Sequence, residues 1–338
     1  MDIDVIIPVY RPGEDLVALL NRLYAQTVEI HKIILVETLD KEEKTSMEEE
    51  TSAEGAETTI EEAESGEGEA ADEKQGKNSL LLHLQKQYKK IELYSVKKED
   101  FDHGMTRRMA VEKSDADIFV MMTQDALPAD RKLIEKLTAP LTGDIAVSYA
   151  RQLPRKNCCA IERFTRRFNY PEESLLKGKE NLQVLGIKTY FCSDVCAAYR
   201  REIYEKLGGF AEKAIFNEDM LFAAKAVEAG YKVMYAAEAR VLHSHNYSIS
   251  QQFRRNFDLG VSQAEHPEVF KKIPSEKEGG RMVKETTEYL FTTGKVFLIP
   301  YFYLQCMGKY AGYFLGKHYK MLPAKTIKKC TANEAYWQ

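Results

Sequence analysis

The run IFVMMTQDALP, from Ile118 to Pro128, constrains this chain more than any other segment. Its first five residues are apolar and β-prone with no polar alternation, the pattern of a strand covered on both faces. Such strands belong to α/β sheets. The run breaks at Thr123, Gln124 and Asp125, and a carboxylate at the C-terminal end of a buried strand stands where open α/β sheets bind ligands. Asp also opens turns and caps helices, so the meaning of Asp125 depends on its surroundings.

The amino-terminal segment supplies the neighbouring strands. Ile3 to Val9 and Lys32 to Glu37 are β-branched runs, and between them Leu16, Leu19, Leu20 and Leu23 fall at helical spacing within Glu14 to Gln26. A β-α-β unit follows, with parallel strands and a right-handed crossover that sets the loops after Val9 and Val36 on one sheet edge. From Asp40 to Asn78 the chain turns to Glu, Ser, Thr, Gly and Ala and cannot bury enough surface to offset its ordering entropy. It reads as a solvated insertion, a spacer in preference to a docking or regulatory element. The domain resumes with a helix from Leu80 to Lys90 and a strand from Ile91 to Val96.

Beyond Asp125, the pattern predicts a helix over Arg131 to Thr138 and a strand over Ile145 to Ala150. Arg151 to Lys188 is basic, irregular and rich in Arg and aromatics, and reads as a recognition surface. Thr189 to Tyr199 returns to a buried pattern. Helices are predicted over Arg201 to Leu207, stopped by Gly208 and Gly209, and over Phe216 to Glu228; short strands are predicted at Lys232 to Tyr235 and Arg240 to Leu242.

With 44% apolar residues in 338, the chain can build a substantial core. Its net charge of -4 hides an acidic block before Glu73 and a basic last third, and implies neither nucleic acid nor an acidic partner. Six cysteines without C-x-x-C spacing or a secretory leader predict reduced thiols in a cytoplasmic protein. The apolar stretch Val296 to Met307 is too short to span a bilayer.

Three constellations carry chemistry. Asn217, Glu218 and Asp219 open a helix, where capping alone accounts for them; a carboxylate fixed there beside a cleft could also take a proton from an attacking hydroxyl. His243 and His245 follow a predicted strand, and only one of the two is expected to enter any single site. With Asp125 they make a mixed site for Mg²⁺ or Mn²⁺ reasonable. In FDHGMTRR, Gly104 permits close backbone approach, and Arg107 or Arg108 can meet a diphosphate.

In order, VIIPVYRP, Glu37, FDHGMTRR, TQDALP, NEDM and HSHNYS resemble the nucleotide-sugar-dependent transferases of glycosyltransferase family 2. The segments RQLPR, FNYP, CAAYRR, LGGF and HSHNY more narrowly resemble bacterial rhamnosyltransferases using dTDP-L-rhamnose. The likeness covers Met1 to about Gln263, apart from the insertion. It implies a GT-A type, Rossmann-like α/β catalytic domain over 1–263 and leaves 264–338 as a helical extension. Pro8, Tyr10, Arg11, Glu37, Asp102, His103, Gly104, Arg107, Gln124 and Asp125 would bind the nucleotide sugar. Asp219 would be the base with Glu218 beside it, Asp125 with His243 or His245 would hold the metal, and Arg151, Gln152 and Asp194 would face the acceptor. Thr123 stands where the family often has the first acid of D-x-D, which puts tight metal binding in doubt.

The implied reaction is inverting transfer of a sugar, L-rhamnose first, onto a lipid-linked or polysaccharide hydroxyl. Another nucleotide-sugar donor, or a non-catalytic partner subunit of the same fold, stands as an alternative. In the last third, aromatic residues interleave with Lys295, Lys309, Lys317 and Lys320. That suits the inner face of an anionic membrane; packing on the catalytic domain or on a second copy of the chain suits it equally.

Overall fold

The computed structural model describes residues 1–40, 80–271 and 276–337; apart from Asp40, the acidic insertion lies outside the described residues. The elements run β1 (Ile3–Val9), α1 (Glu14–Tyr24), β2 (Lys32–Leu39), α2 (residues 80–87), β3 (Ile91–Lys97), α3 (His103–Glu112), β4 (Ile118–Met122), β5 (Leu127–Pro128) and α4 (Leu133–Thr138). They continue with β6 (Ile145–Leu153), α5 (Ala160–Asn169), β7 (Leu175–Lys177), the single turn α6 (Leu182–Leu185), β8 (Cys196–Arg200), α7 (Arg201–Lys206), α8 (Glu218–Glu228) and β9 (Lys232–Leu242). Helices α9 (Ile249–Glu265), α10 (Pro267–Phe270), α11 (Glu276–Thr292), α12 (Ile299–Lys317) and α13 (Ala324–Cys330) complete the chain.

The nine strands among the described residues form one mixed sheet, ordered β3-β2-β1-β4-β8-β6-β9-β5 with β7 also paired to β9. The first four are parallel, as the crossover rule requires, while β8 enters antiparallel between β4 and β6. Side chains alternate between two cores: Val5, Ile7 and Val9 face the one built with α1 and α4, while Ile6, Phe119 and Met121 face the one built with α3, α7 and α8. Burial on both faces explains why these strands carry no polar alternation.

Two expectations need correction. The region from Arg151 to Lys188 is not irregular throughout: β6 extends to Leu153, and α5 and β7 lie within it. The two short strands after Tyr231 are one strand, in which the register with β6 jumps from Ala150↔Ala236 to Arg151↔Arg240 across a bulge. Of the two readings left open for the carboxyl-terminal helices, packing within the chain is seen: α12 lies on α9. Glycines press α12 onto α9: a Cβ at Gly312 would lie 2.1 Å from the Phe253 carbonyl oxygen, and one at Gly316 would lie 2.0 Å from that of Phe257. The backbones therefore touch as only glycine allows. Among the described residues, no helix is long and apolar enough to cross a membrane.

Candidate active site

Long-range pairing brings the first centre together. β5 pairs Leu127 with Leu242 and Pro128 with Val241, so the turn holding Asp125 lies beside the residues that leave β9. His245 Nε2 stands 3.1 Å and His243 Nε2 3.5 Å from Asp125 Oδ2. Both histidines therefore face Asp125, against the expectation of one, because residues two apart on an extended chain share a face.

His243 Nδ1 donates to Gln152 Oε1 at 2.9 Å, since an amide oxygen only accepts. That contact fixes the ring with its Nε2 turned toward Asp125, the arrangement by which a second contact orients a metal-binding imidazole. Burial disfavours the charged form of Asp125, but the hydrogen bonds and charges of the two histidines outweigh it and hold the carboxyl well below its ordinary range. The ligand atoms of Asp125, His243 and His245 lie within 4.8 Å of one another, and the two Nε2 atoms face each other at 3.0 Å. One carboxylate and two facing imidazole nitrogens fit a divalent cation.

The second centre lies at the start of α8. Asn217 is left-handed (φ 67°) and does not cap the helix with its side chain, which donates instead to Ser262 Oγ at 3.3 Å. Glu218 is buried, with Oε1 3.1 Å from Arg107 Nη1, while Arg107 Nε lies 3.4 Å from Asp194 Oδ2. Asp219 remains half-buried; its Oδ1 accepts from the Met220 amide at 2.6 Å and its Oδ2 from the Asp194 amide at 3.0 Å.

These neighbours separate the two acids. Burial raises Asp219 and the adjacent Glu218 charge raises it further, to about 7. Burial also works against Glu218, but Arg107 and His103 prevail and keep it low. Asp219 is thus the carboxylate able to exchange a proton near neutrality, and Glu218 is tied to Arg107.

Hydrogen bonds and one peptide link join the centres. Gln152, already bonded to His243, donates to Tyr170 and, at 3.0 Å, to Ser193 Oγ; the next residue is Asp194, whose amide meets Asp219. Gln152 and Asp194, expected on the acceptor side, are only 2% and 3% exposed, so they hold the two centres in register from within. Arg151, expected with them, ion-pairs at 2.9 Å with the exposed Glu172.

The residues expected to bind the nucleotide divide in the same way. Gln124 clamps both backbone groups of Tyr10, at 3.1 and 2.9 Å. Asp40 gathers Arg11 at 3.0 Å, Lys98 at 2.7 Å and the Tyr10 hydroxyl at 3.2 Å. Pro8 and Glu37 lie on paired strands at this edge. Asp102 is spent on structure, accepting from the amides of Gly104, Met105 and Ala214, and a Cβ at Gly104 would meet the Ala211 carbonyl oxygen at 2.2 Å. Arg107, expected at a diphosphate, is enclosed by Glu218 and Asp194; His103 lines a cavity beside it, its pKa lowered to about 4 by burial.

Arg255 was missed. Its guanidinium lies 4.9 Å from the Tyr247 ring and 5.3 Å from the Phe216 ring, between the segments that carry the histidines and Asp219. The only signal was an Arg pair just after HSHNYS.

The model of glycosyl transferase family 2 matches residues 75–208. The O-antigen chain rhamnosyltransferase RfbN of Salmonella typhimurium is 35% identical over 340 residues, spanning 100% of this chain and 96% of the relative. The chain belongs to glycosyl transferase family 2. The O-antigen chain rhamnosyltransferase WbaN of Salmonella anatum is 39% identical over 241 residues, covering 70% of this chain and 76% of its own length. In fold, the chain resembles the mannosyltransferase PcManGT from Pyrobaculum calidifontis, solved with GDP-Man and Mn²⁺, at a TM-score of 0.53 and 15% identity over 99% of this chain and 84% of that one. This family 2 glycosyltransferase has the expected GT-A type fold with a helical carboxyl-terminal region.

Proposed function

We propose that this glycosyltransferase moves L-rhamnose from dTDP-L-rhamnose, with inversion, onto a hydroxyl of a lipid-linked or polysaccharide acceptor in O-antigen synthesis. The relatives' activity supports the sugar. The observation that carries the chemistry is the continuous path from Asp125 to Asp219: His243 lies against Asp125 and bonds Gln152, Gln152 bonds Ser193, and the amide of the adjoining Asp194 bonds Asp219.

Within residues 1–263, Asp219 takes the proton from the acceptor hydroxyl, and its raised pKa matches a base working near neutral pH. Arg107 neutralises Glu218 and lies against Asp194, so that Asp219 sits among fixed partners. Tyr10, Lys98 and His103 bind the nucleotide, and Arg255 meets the diphosphate. Asp125, His243 and His245 would hold the cation, and two imidazoles beside one carboxylate favour Mn²⁺ over the oxygen-seeking Mg²⁺. Such an ion supplies charge stabilisation for the departing diphosphate.

A thermal-shift screen of nucleotide sugars, with and without each metal, tests the donor. The largest stabilisation should come from dTDP-rhamnose with Mn²⁺; equal stabilisation by UDP- or GDP-hexoses would refute the assignment.

The extension, 264–338, meets the acceptor's membrane on the cytoplasmic side. Support comes from a row on and just before α12, with Phe297 73% and Tyr310 66% exposed, joined by Tyr301, Leu304, Met307 and Phe314. Exposed Lys317, Lys320, Lys325, Lys328 and Lys329 follow and match anionic headgroups. Vesicles with anionic lipid should pellet the protein at low salt and release it at high salt. Equal recovery with neutral vesicles would remove the charge argument.

A further inference from the structure

Residues 331–337 cross from the helical region to the nucleotide end of the sheet, and both ends of this segment are pinned to α9. The buried Asp258 carboxylate accepts from the Thr331 hydroxyl at 2.6 Å and from the Ala332 amide at 2.9 Å. Seven residues further along α9, Glu265 Oε2 accepts from the Tyr336 hydroxyl at 2.6 Å. Tyr336 is covered by the Lys213 ammonium, 4.6 Å from its ring centre, and Trp337 packs on Tyr319 at 5.3 Å. Between these anchors, residues 332–335 have no freedom to wander. They face a cavity of about 460 Å³ whose other wall includes Tyr10, Lys98 and His103.

That volume falls in the range of small-ligand clefts, roughly 300–1,000 Å³. The walls differ in chemistry. The sheet edge presents aromatic rings, an ammonium and an imidazole, whereas the tail presents Asn333, the Glu334 carboxylate and the small Ala332 and Ala335. Asn333 Nδ2 is shielded from solvent and has no hydrogen-bond partner among the described residues. A shielded donor without a partner is a standing cost, and a turn of the Asn333 side chain into the cavity, onto a ligand's acceptor oxygen, removes it.

We propose that residues 332–335 form the outer wall of the donor pocket and that Asn333 is a specificity-determining residue, its amide donating to the pyrimidine base of a nucleoside diphosphate. The proposal rests on the nucleotide-sugar reading above. The base lies between the Tyr10 side of the sheet and the tail, and Ala335 leaves the room it needs. The helical extension thereby contributes to donor choice as well as to packing.

Calorimetric titration of the full chain with dTDP and with GDP, in the presence of Mn²⁺, separates this proposal from the reading beneath it. Asn333→Asp replaces the donor by an acceptor at nearly equal volume, and Ala335→Trp fills the cavity. Each should bind dTDP at least about tenfold more weakly than the unaltered chain while keeping its Tm. Asn333→Asp should also narrow the preference for dTDP over GDP, and in assays raise KM for the donor far more than it changes kcat. If the unaltered chain binds dTDP and both variants match it in affinity and preference, the tail is no part of the pocket and the donor reading survives alone. If the unaltered chain binds neither nucleotide, the donor reading falls and takes this proposal with it.

Discussion

Asp125 and Asp219 are the same residue type, linked through His243, Gln152 and the Ser193–Asp194 segment, yet their surroundings drive them apart. Two histidines hold Asp125 in its charged form, whereas burial and the neighbouring Glu218 raise Asp219 to about 7. The linkage signs are opposite. The depressed Asp125 adds stability above its unfolded pKa, near 4, and loses it as pH falls through its folded value; the raised Asp219 adds stability at low pH and loses it as pH rises through about 7. Pairs of acids pushed apart in this way mark a division of labour, one kept charged and one free to exchange a proton.

Substitution at each aspartate is the hardest blow to that contrast. Asp219→Asn should keep dTDP affinity and lose turnover by about 10²–10⁴-fold, the usual worth of a general base. Asp125→Ala should do the reverse at the binding step, abolishing the part of dTDP affinity that depends on added metal. Turnover assays beside calorimetry decide it: normal turnover in Asp219→Asn removes the base, and unchanged metal dependence in Asp125→Ala removes the ligand.

Arg107 sharpens the comparison from beneath. It is the cation between Glu218 and Asp194, and Arg107→Met leaves the low-lying Glu218 carboxylate buried without its counter-charge. Breaking a buried pair from one side costs about 3–5 kcal/mol, so urea unfolding should show a loss of that order. The double variant Arg107→Met with Glu218→Gln should recover part of it. A single variant as stable as the parent would show that the acids are not held as described.

The parts of this molecule that could be read from sequence are those whose signal is local. The strands Ile3–Val9 and Ile118–Met122 and the helix Glu14–Tyr24 announce themselves by period, and Asp125 by its place at a strand end. β9 looked like two strands because Ala236, Ala237 and Ala239 at its bulge lack the β-branched character of strand interiors. α5 was hidden by its Arg content, yet Phe164 stacks on Tyr289 of α11 at 4.9 Å. Gly308, Gly312 and Gly316 recur every fourth residue and could have announced the α9–α12 contact. The joining of both histidines to Asp125 depends on β5 reaching β9, and no local pattern encodes that pairing.

The pH dependence is the gentlest test of the contrast and bears on Asp219 alone. A base must be deprotonated to act, so with a pKa of about 7 the rate at saturating donor should fall about tenfold from pH 8 to pH 6. Over the same interval the fold should not weaken on account of this group, because protonating Asp219 relieves a buried charge beside Glu218. Asp125 contributes nothing to that limb, since its carboxyl stays ionised throughout. A rate profile measured alongside Tm therefore assigns the limb. Loss of rate with Tm held or raised points to Asp219, whereas a parallel fall in both would mean that the protein is unfolding and that the two aspartates are not divided as their surroundings indicate.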